Sequence, residues 1–197
     1  MLKDTAAEMF LEQGYDSVSL DTLIARVGGS RRNIYGRFGG KEGLFVEVIT
    51  QLCAELQGPL NELKISIENE RKALTQFGEC VLAIILQPRA LALHRLMVAE
   101  GARASKLAQT VYQAGPDNAA RVLSTWIEAR QRSGQLRKDL PARELADKFL
   151  ELLVPGPQLR ALVGLVATPV SAADRTKLSR KAVEIFLHGA VAKTKKG

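Results

Sequence analysis

The sequence predicts an all-α fold, in which a small N-terminal helix-turn-helix domain precedes a larger helical domain. Apolar residues recur at helical spacing along most of the 197 residues, and no segment shows the period-2 alternation of a half-buried strand. Aromatic residues make up only 5% of the chain, whereas the helix formers Ala, Leu, Arg and Glu are abundant. Glycine and proline stand between the apolar segments, where they are expected to end helices.

The first three predicted helices are short and bounded by glycine. An apolar stripe that begins at Leu2 indicates the first helix, which Gly14 ends as a C-terminal cap. Serines stand at the N-cap positions of the second and third helices, which we place at residues 20–27 and 31–38. The two glycines between these helices predict a tight turn.

The fourth predicted helix, at residues 41–57, carries a long apolar stripe and ends near Gly58 and Pro59. Further helices are predicted near residues 62–86, 89–100, 103–114, 117–133, 141–154, 158–167 and 172–190. The sequence therefore predicts a helix-turn-helix domain at residues 1–45, a connecting helix at 41–57, a helical domain at 58–190 and a basic tail at 191–197.

Net charge alone is a weak indicator of function in this chain. The whole sequence carries +7, but residues 1–48 hold six basic and seven acidic side chains, which is a net charge of −1. The argument for a nucleic-acid partner therefore depends on one local cluster without acidic residues. This cluster consists of Arg26, Arg31, Arg32, Arg37 and Lys41.

The third helix has the pattern of a recognition helix. Ile34 and Phe38 fall on one face and are expected to pack inward, which turns Arg32, Asn33 and Gly36 outward. Arginine pairs bidentately with guanine and asparagine with adenine, so such a helix is suited to reading base edges in the major groove.

Other residues of this segment suit phosphate contacts. Tyr35, Arg37 and Lys41 lie beside the outward face or just beyond it. Lys41 opens the fourth helix, where its charge and the free backbone N–H groups would act on the same phosphate. Gly36 costs about 1 kcal/mol of helix stability relative to alanine, a cost that close approach of the backbone to DNA would explain.

From about Thr5 to Phe45 the sequence resembles the N-terminal domain of the tetracycline-repressor (TetR) family of transcriptional regulators. The resemblance covers the lead-in AAEMFLEQGYDSVSL, the pattern GxSxxxxYxxF from Gly28, and KEGLF from Lys41. It implies a cytoplasmic, homodimeric regulator, typically a repressor, that binds a palindromic operator in double-stranded DNA. By position it implies DNA contacts from Ser19, Ser30, Arg31, Arg32, Asn33, Tyr35, Arg37 and Lys41.

Three features depart from the family pattern. Gly29 stands where these proteins usually have an aliphatic residue, so a looser turn is expected. Gly40 stands where Ser or Thr commonly caps the fourth helix, at a cost of a few tenths of a kcal/mol. The sequence begins almost at the first helix, without the basic arm often found upstream, so weaker non-specific phosphate binding is expected.

The segment LHRLMVAEGARASKLAQTVYQAGPDNAARVL resembles regulators near the AefR and AcrR types. This resemblance implies that residues 58–190 bind a ligand and dimerise, with helices 141–154 and 172–190 forming a four-helix interface. Candidate interface residues are Leu145, Phe149, Leu152, Val183, Phe186 and Leu187. Candidate lining residues of an effector cavity are Phe77, His94, Met97, Tyr112 and Trp126. For both sets, ordinary core packing is the alternative.

The implied effector is a small hydrophobic or amphipathic molecule. Its binding is expected to release the repressor from DNA by changing the separation or tilt of the two recognition helices. Such coupling must be reciprocal, so that DNA weakens ligand binding by the same factor.

The sequence offers little support for catalysis, cofactors or membrane insertion. Cys53, Cys80, His94 and His188 are isolated from one another, so we predict reduced thiols and no metal site. No GxSxG, P-loop or HExxH motif is present, and no apolar run approaches the roughly 20 residues that cross a bilayer. We therefore predict no cofactor, and an all-α enzyme is the least favoured hypothesis.

A helical scaffold or co-regulator that keeps the fold without reading DNA is the remaining alternative. Loss of Arg31 and Arg32 separates the two hypotheses, because it should abolish DNA binding by a regulator and leave a scaffold unchanged.

Overall fold

The computed structural model describes residues 2–66, 69–101 and 105–190, and these residues form helices without a strand. They divide into two compact units. The first unit contains the described residues of Met1–Gln57 and Arg89–Gly115, and the second those of Gly58–Pro88 and Pro116–Gly197. Each unit therefore contains two separate stretches of chain, whereas the sequence-based boundaries at 45 and 58 are linear. The predicted basic tail at 191–197 lies outside the described residues.

The N-terminal helices begin where the serine caps predict. The first four helices are α1 (Leu2–Gln13), α2 (Leu20–Val27), α3 (Arg31–Phe38) and α4 (Lys41–Asn61). The side chains of Ser19 and Ser30 accept hydrogen bonds from the backbone N–H groups of Thr22 and Asn33. These bonds satisfy N–H groups that an isolated helix leaves without partners, which confirms the predicted starts of α2 and α3.

Helix α4 does not end at Gly58 and Pro59, as the sequence predicts, but continues to Asn61. Pro59 lacks an N–H group and weakens the helix at this point. The backbone of Glu62 still donates to the carbonyl of Gly58, and Leu60 is only 1% exposed. Burial of Leu60 therefore offsets the missing hydrogen bond, and tertiary packing decides where α4 ends.

The remaining helices largely follow the predicted order. They are α5 (Glu70–Ile85), α6 (Pro88–Glu100), α7 (Ser105–Tyr112), a π-helical turn (Gln113–Asp117), α8 (Asn118–Arg132), α9 (Ala142–Leu153), α10 (Pro155–Leu162) and α11 (Ala172–Ala190). Helix α5 begins eight residues later than predicted, because Asn69 caps it by accepting from the N–H group of Lys72. Helix α10 begins three residues earlier than predicted, because proline fits a first helical turn that needs no N–H donors.

An aromatic cluster forms the core of the first unit beside the helix-turn-helix. The rings of Phe10 and Phe45 lie 4.8 Å apart in an edge-to-face arrangement, and Tyr15 lies 4.7 Å from Phe45. Leu44 and Ile49 are fully buried in the same unit. These contacts join α1 to the start of α4, which follows directly on α3.

The second unit is built around α11, which packs against α5 and α9. Phe149 lies at the centre of its core, with ring centroids 6.1 Å from Phe77 and 5.3 Å from Phe186. Ser179 is fully buried in α11, and its hydroxyl donates to the carbonyl of Thr75 in α5. The two helices are therefore held by both apolar packing and a satisfied polar group.

Candidate nucleic-acid interface

Helix α3 presents one buried side chain among exposed polar ones. Ile34 is only 3% exposed, and Leu23 of α2 is buried in the same unit, as the sequence predicts. Phe38, expected to pack fully inward, is only half-buried. Seven of the eight candidate DNA contacts are exposed, namely Ser19, Ser30, Arg31, Arg32, Asn33, Tyr35 and Arg37. The eighth, Lys41, is half-buried at the start of α4.

The guanidinium group of Arg31 is engaged within the protein by Asp21 of α2. Its Nε donates to Oδ1 of Asp21 at 2.7 Å, and its Nη2 donates to Oδ2. The two side chains remain 63% and 65% exposed, so this pair lies on the surface that carries the other candidate contacts. The hydrogen bond from Arg31 lowers the pKa of the Asp21 carboxyl group below its ordinary value. Sequence analysis missed this pairing.

Lys41 is also positioned by the fold. Its ammonium group lies 4.3 Å from the centre of the Tyr15 ring and donates to the backbone carbonyl of Asp16 at 3.3 Å. Burial, followed by the nearby negative charge of Glu42, raises the pKa of the Tyr15 hydroxyl. Lys41 therefore reaches any phosphate from a fixed support formed by the loop between α1 and α2.

The junction between α3 and α4 depends on glycine. Gly40 has φ +119°, a conformation that L side chains rarely adopt, and a Cβ there would lie 3.1 Å from Cε1 of Tyr35. A Cβ at Gly43 would overlap the backbone carbonyl of Phe38. The departure from the family pattern at Gly40 therefore fits this junction, because a Ser or Thr cap would be strained there.

The turn between α2 and α3 also depends on glycine at the position where relatives usually have an aliphatic residue. Gly29 has φ +103°, so a β-branched side chain would be strained here. By contrast, Gly36 on α3 has a negative φ, and a Cβ there would meet no atom within 4 Å. The surface around Gly36 is therefore open, as a close approach of DNA requires.

The predicted effector residues do not form one site. Phe77 is fully buried in the core of the second unit, and Trp126 is buried there with its Nε1 donating to the carbonyl of Ser66 at 2.9 Å. His94 and Met97 are half-buried on α6 of the first unit, and Tyr112 is 58% exposed at the end of α7. Phe77 and Trp126 act as core residues, the alternative that the sequence left open.

The predicted dimer residues are mostly part of the core of a single chain. Leu145, Phe149, Val183, Phe186 and Leu187 are between 0% and 9% exposed. They are buried because α9 and α11 direct these apolar faces to one another and to α5. Of the six candidates, only Leu152 is exposed, at 43%.

A groove of about 870 Å³ opens on the second unit. It is lined by polar and charged side chains from α5 and α11, including Lys72, Gln76, Glu79 and Arg180. None of the five predicted effector residues lines it. The groove is large enough for a small organic molecule, but its lining favours one with polar groups.

The described residues contain no cluster of three or more His, Cys, Asp or Glu side chains that could hold a metal ion. In the same part of the chain, no helix alone is long and apolar enough to cross a bilayer. Helices α5 and α6 pass that test only as a bent pair, and the apolar residues of α5 are largely buried in the protein core.

Both parts of the chain match models of known protein families. Residues 2–48 match the family described as bacterial regulatory proteins, tetR family. Residues 72–189 match the AefR-like transcriptional repressor, C-terminal domain. No curated protein sequence matches the chain.

Solved structures of similar fold span nearly the whole chain. The flavonoid-responsive regulator FrrA is 26% identical, with a TM-score of 0.83 over 98% of this chain and 96% of FrrA. A TetR transcriptional regulator from Agrobacterium tumefaciens is 24% identical, with a TM-score of 0.74 over 98% of this chain and 93% of that chain. A TetR family regulator from Pseudomonas syringae pv. tomato is 21% identical, with a TM-score of 0.75 over 96% and 95%.

Proposed function

The chain belongs to the TetR family of bacterial transcriptional regulators, and from this we propose that it represses genes at a palindromic operator until a small ligand releases it. It is a DNA-binding regulator, and both its N-terminal and its AefR-like C-terminal segments match the family. The cytoplasm, where bacterial DNA lies, is its proposed site of action, and no catalytic step is part of the proposal.

The exposed surface of α3 is the observation that carries the DNA-binding role of particular residues. Arg31, Arg32 and Asn33 follow the Ser30 cap and are exposed, while Ile34 anchors the helix in the core. We assign these three residues to base edges in the major groove. Arg37, Tyr35 and Lys41, together with the serine caps Ser19 and Ser30, are assigned to the phosphate backbone.

Selection from a random pool of DNA duplexes, followed by binding measurements across a salt series, tests this assignment. We expect a palindromic sequence to be enriched and bound with an affinity that falls steeply with salt. The Arg31→Ala/Arg32→Ala variant should lose preference for that sequence. The Arg132→Ala variant removes an exposed arginine of α8 in the second unit and should bind like wild type. Weak, equal binding to all sequences by every protein would instead favour the helical scaffold.

A dimer is part of the proposal because a palindrome needs two recognition helices about 34–36 Å apart. The burial of five predicted interface residues moves the candidate face to exposed apolar side chains of the second unit. Ile185 of α11 is 61% exposed, and Leu159 and Val163 near the end of α10 are 61% and 60% exposed. With Leu152 on α9, these residues leave apolar surface that a second copy would bury.

Sedimentation of Ile185→Glu tests this face. We expect a shift from dimer to monomer and a loss of operator affinity, because a charge at the interface would lose its hydration on association. Val98→Glu is the matched control, since Val98 is 74% exposed on α6 of the first unit. Dissociation by Val98→Glu, or none by Ile185→Glu, would place the interface elsewhere.

We propose that the effector is amphipathic rather than purely hydrophobic, and that it binds the groove on the second unit. Apolar stems of Lys72 and Arg180 line the groove together with charged and amide groups, which suits a molecule with an apolar body and polar substituents. FrrA is described as flavonoid-responsive, and flavonoids have this chemical character. A flavonoid is therefore the first probe.

Calorimetric titration with a hydroxylated flavonoid, with and without operator DNA, tests the effector site. We expect binding that weakens in the presence of DNA and that Gln76→Trp reduces by filling the groove. Glu128→Gln, on an exposed position of α8 outside the groove, is the control and should leave binding unchanged. Binding that is unaffected by Gln76→Trp would exclude this groove as the site.

A further inference from the structure

The ion pair between Asp21 and Arg31 crosses the turn of the helix-turn-helix. Asp21 lies in the first turn of α2, and Arg31 is the first residue of α3. The turn between them contains Gly28 and Gly29, so no side chain within the turn fixes how the two helices are oriented. The pair adds a side-chain connection between the two helices at the surface assigned to DNA.

The geometry leaves a defined part of the guanidinium group available. Asp21 accepts from Nε and from Nη2 of Arg31, which orients the guanidinium plane. Arginine has five N–H donors, so both hydrogens of Nη1 and one of Nη2 remain. These donors form the outer edge of the group and match the O6 and N7 acceptors of guanine in a bidentate contact.

The charge of the pair separates the role of Arg31 from that of a phosphate contact. An arginine that neutralises a phosphate contributes a full positive charge and releases a counterion. The charge of Arg31 is already balanced by the adjacent carboxylate of Asp21, which would lie near the phosphates and repel them. An exposed carboxylate therefore lowers the affinity for any DNA, and only a sequence that uses the oriented guanidinium group offsets this cost.

We propose that Asp21 is a specificity-determining positioning residue, which holds Arg31 for a guanine edge and opposes binding to other sequences. This inference rests on the proposed function, because it requires that α3 reads DNA. It assigns Asp21 a role through Arg31 and no direct contact with a base. An acidic residue next to a basic recognition surface is thereby part of the recognition.

A double-mutant cycle measures this role. Operator and scrambled duplexes are titrated with wild type, Asp21→Asn, Arg31→Ala and the double variant, and the ratio of the two affinities is the specificity ratio. We expect Asp21→Asn to bind scrambled DNA more tightly and to lower the specificity ratio at least about fivefold. In the Arg31→Ala background, the same substitution should leave the ratio unchanged.

A matched charge control separates positioning from net charge. Glu42 is exposed in the first turn of α4, and Glu42→Gln removes one negative charge from the same unit. Glu42→Gln should raise both affinities similarly and keep the ratio. Thermal unfolding of each variant checks that the fold is retained.

The salt dependence supplies a second readout. Arg37→Ala should reduce the slope of log K against log salt concentration by about 0.9, as expected for one lost phosphate contact. Arg31→Ala should change the slope much less and should instead relax the preference at one base pair of each half-site. Asp21→Asn should relax the preference at that same base pair.

Three results would overturn the inference while wild type remains sequence-specific. The specificity ratio of Asp21→Asn falls no further than that of Glu42→Gln, its effect persists without Arg31, or the relaxed base pair differs from that of Arg31→Ala. A wild-type protein without sequence preference would overturn the proposed function as well, so the two failures are distinguishable.

Discussion

At the scale of single residues, Lys41 is a cation that the fold already uses. Its ammonium group lies 4.3 Å from the centre of the Tyr15 ring and donates to the carbonyl of Asp16. A phosphate that binds here shares a charge that supports the loop before α2. Lys41 therefore contributes both to DNA affinity and to the stability of the first unit.

Substitution of Lys41 should affect both properties. We expect Lys41→Ala to reduce the salt slope of DNA binding by about 0.9 and to lower the free energy of unfolding by about 0.5–1 kcal/mol, through loss of the ring contact. Fluorescence anisotropy and denaturant unfolding measure the two effects. Lys177→Ala removes an exposed lysine of α11 and is the control. A stability loss without any change in salt slope would remove Lys41 from the DNA interface.

Cys53 provides a pH-dependent test of burial. Burial in the core raises the pKa of the Cys53 thiol to about 11. Between about pH 8.5 and 11 the unfolded chain loses this proton and the folded chain keeps it, so the contribution of Cys53 favours unfolding as pH rises. We expect the stability of wild type to fall more steeply across this range than that of Cys53→Ala. Parallel curves from urea unfolding at each pH would contradict the predicted thiol burial.

At the scale of helices, local signals and tertiary packing have separable effects. The starts of α2 and α3 are predictable from sequence, because a serine cap acts within three residues. The end of α4 is not, because Leu60 is held by burial despite Pro59. The Asp21–Arg31 pair is also hidden from sequence, since ten residues and a turn separate its members.

The same limit applies to the apolar helices of the second unit. The amphipathic patterns of α9 and α11 indicate that each has an apolar face, but not whether the chain itself or a second copy covers it. The structure assigns Phe149 and Val183 to the core of one chain and leaves Ile185 exposed. Partner choice depends on the packing of several helices, which periodicity within one helix cannot specify.

Two glycines of the helix-turn-helix should respond oppositely to alanine. We expect Gly43→Ala to lower stability by several kcal/mol, because its Cβ would overlap the backbone carbonyl of Phe38, which cannot move without shifting α3. Gly36→Ala adds a Cβ into open space and should raise stability by about 0.5–1 kcal/mol. Thermal and urea unfolding measure both changes.

DNA binding adds a second comparison for the same pair. Gly36→Ala should weaken operator binding despite its greater stability, since the added methyl group lies on the surface assigned to DNA. A variant that is both more stable and equally tight would show that the backbone at Gly36 does not approach DNA closely.

At the scale of the whole molecule, α4 is the element that belongs to both units. Its residues up to Gln57 belong to the first unit and its last residues to the second. In the second unit, Asn118 of α8 donates to Oδ1 of Asn61 at the end of α4, at 2.9 Å, and accepts from Arg121. Asn118 is only 8% exposed, so this amide depends on protein partners.

Coupling between effector and DNA should therefore depend on Asn118. A ligand shifts DNA affinity only if it stabilises one arrangement of an element that both sites influence, and a hydrogen-bonded end of α4 is such an element. In wild type, the factor by which the flavonoid probe weakens operator binding should equal the factor by which operator DNA weakens flavonoid binding. Asn118→Ala should reduce both factors equally while changing each separate affinity little. Thr125→Ala removes a hydroxyl that donates only within α8, to the carbonyl of Arg121, and should keep the coupling intact. Equal coupling in all three proteins would show that the effector signal reaches α4 by a route that does not include this amide.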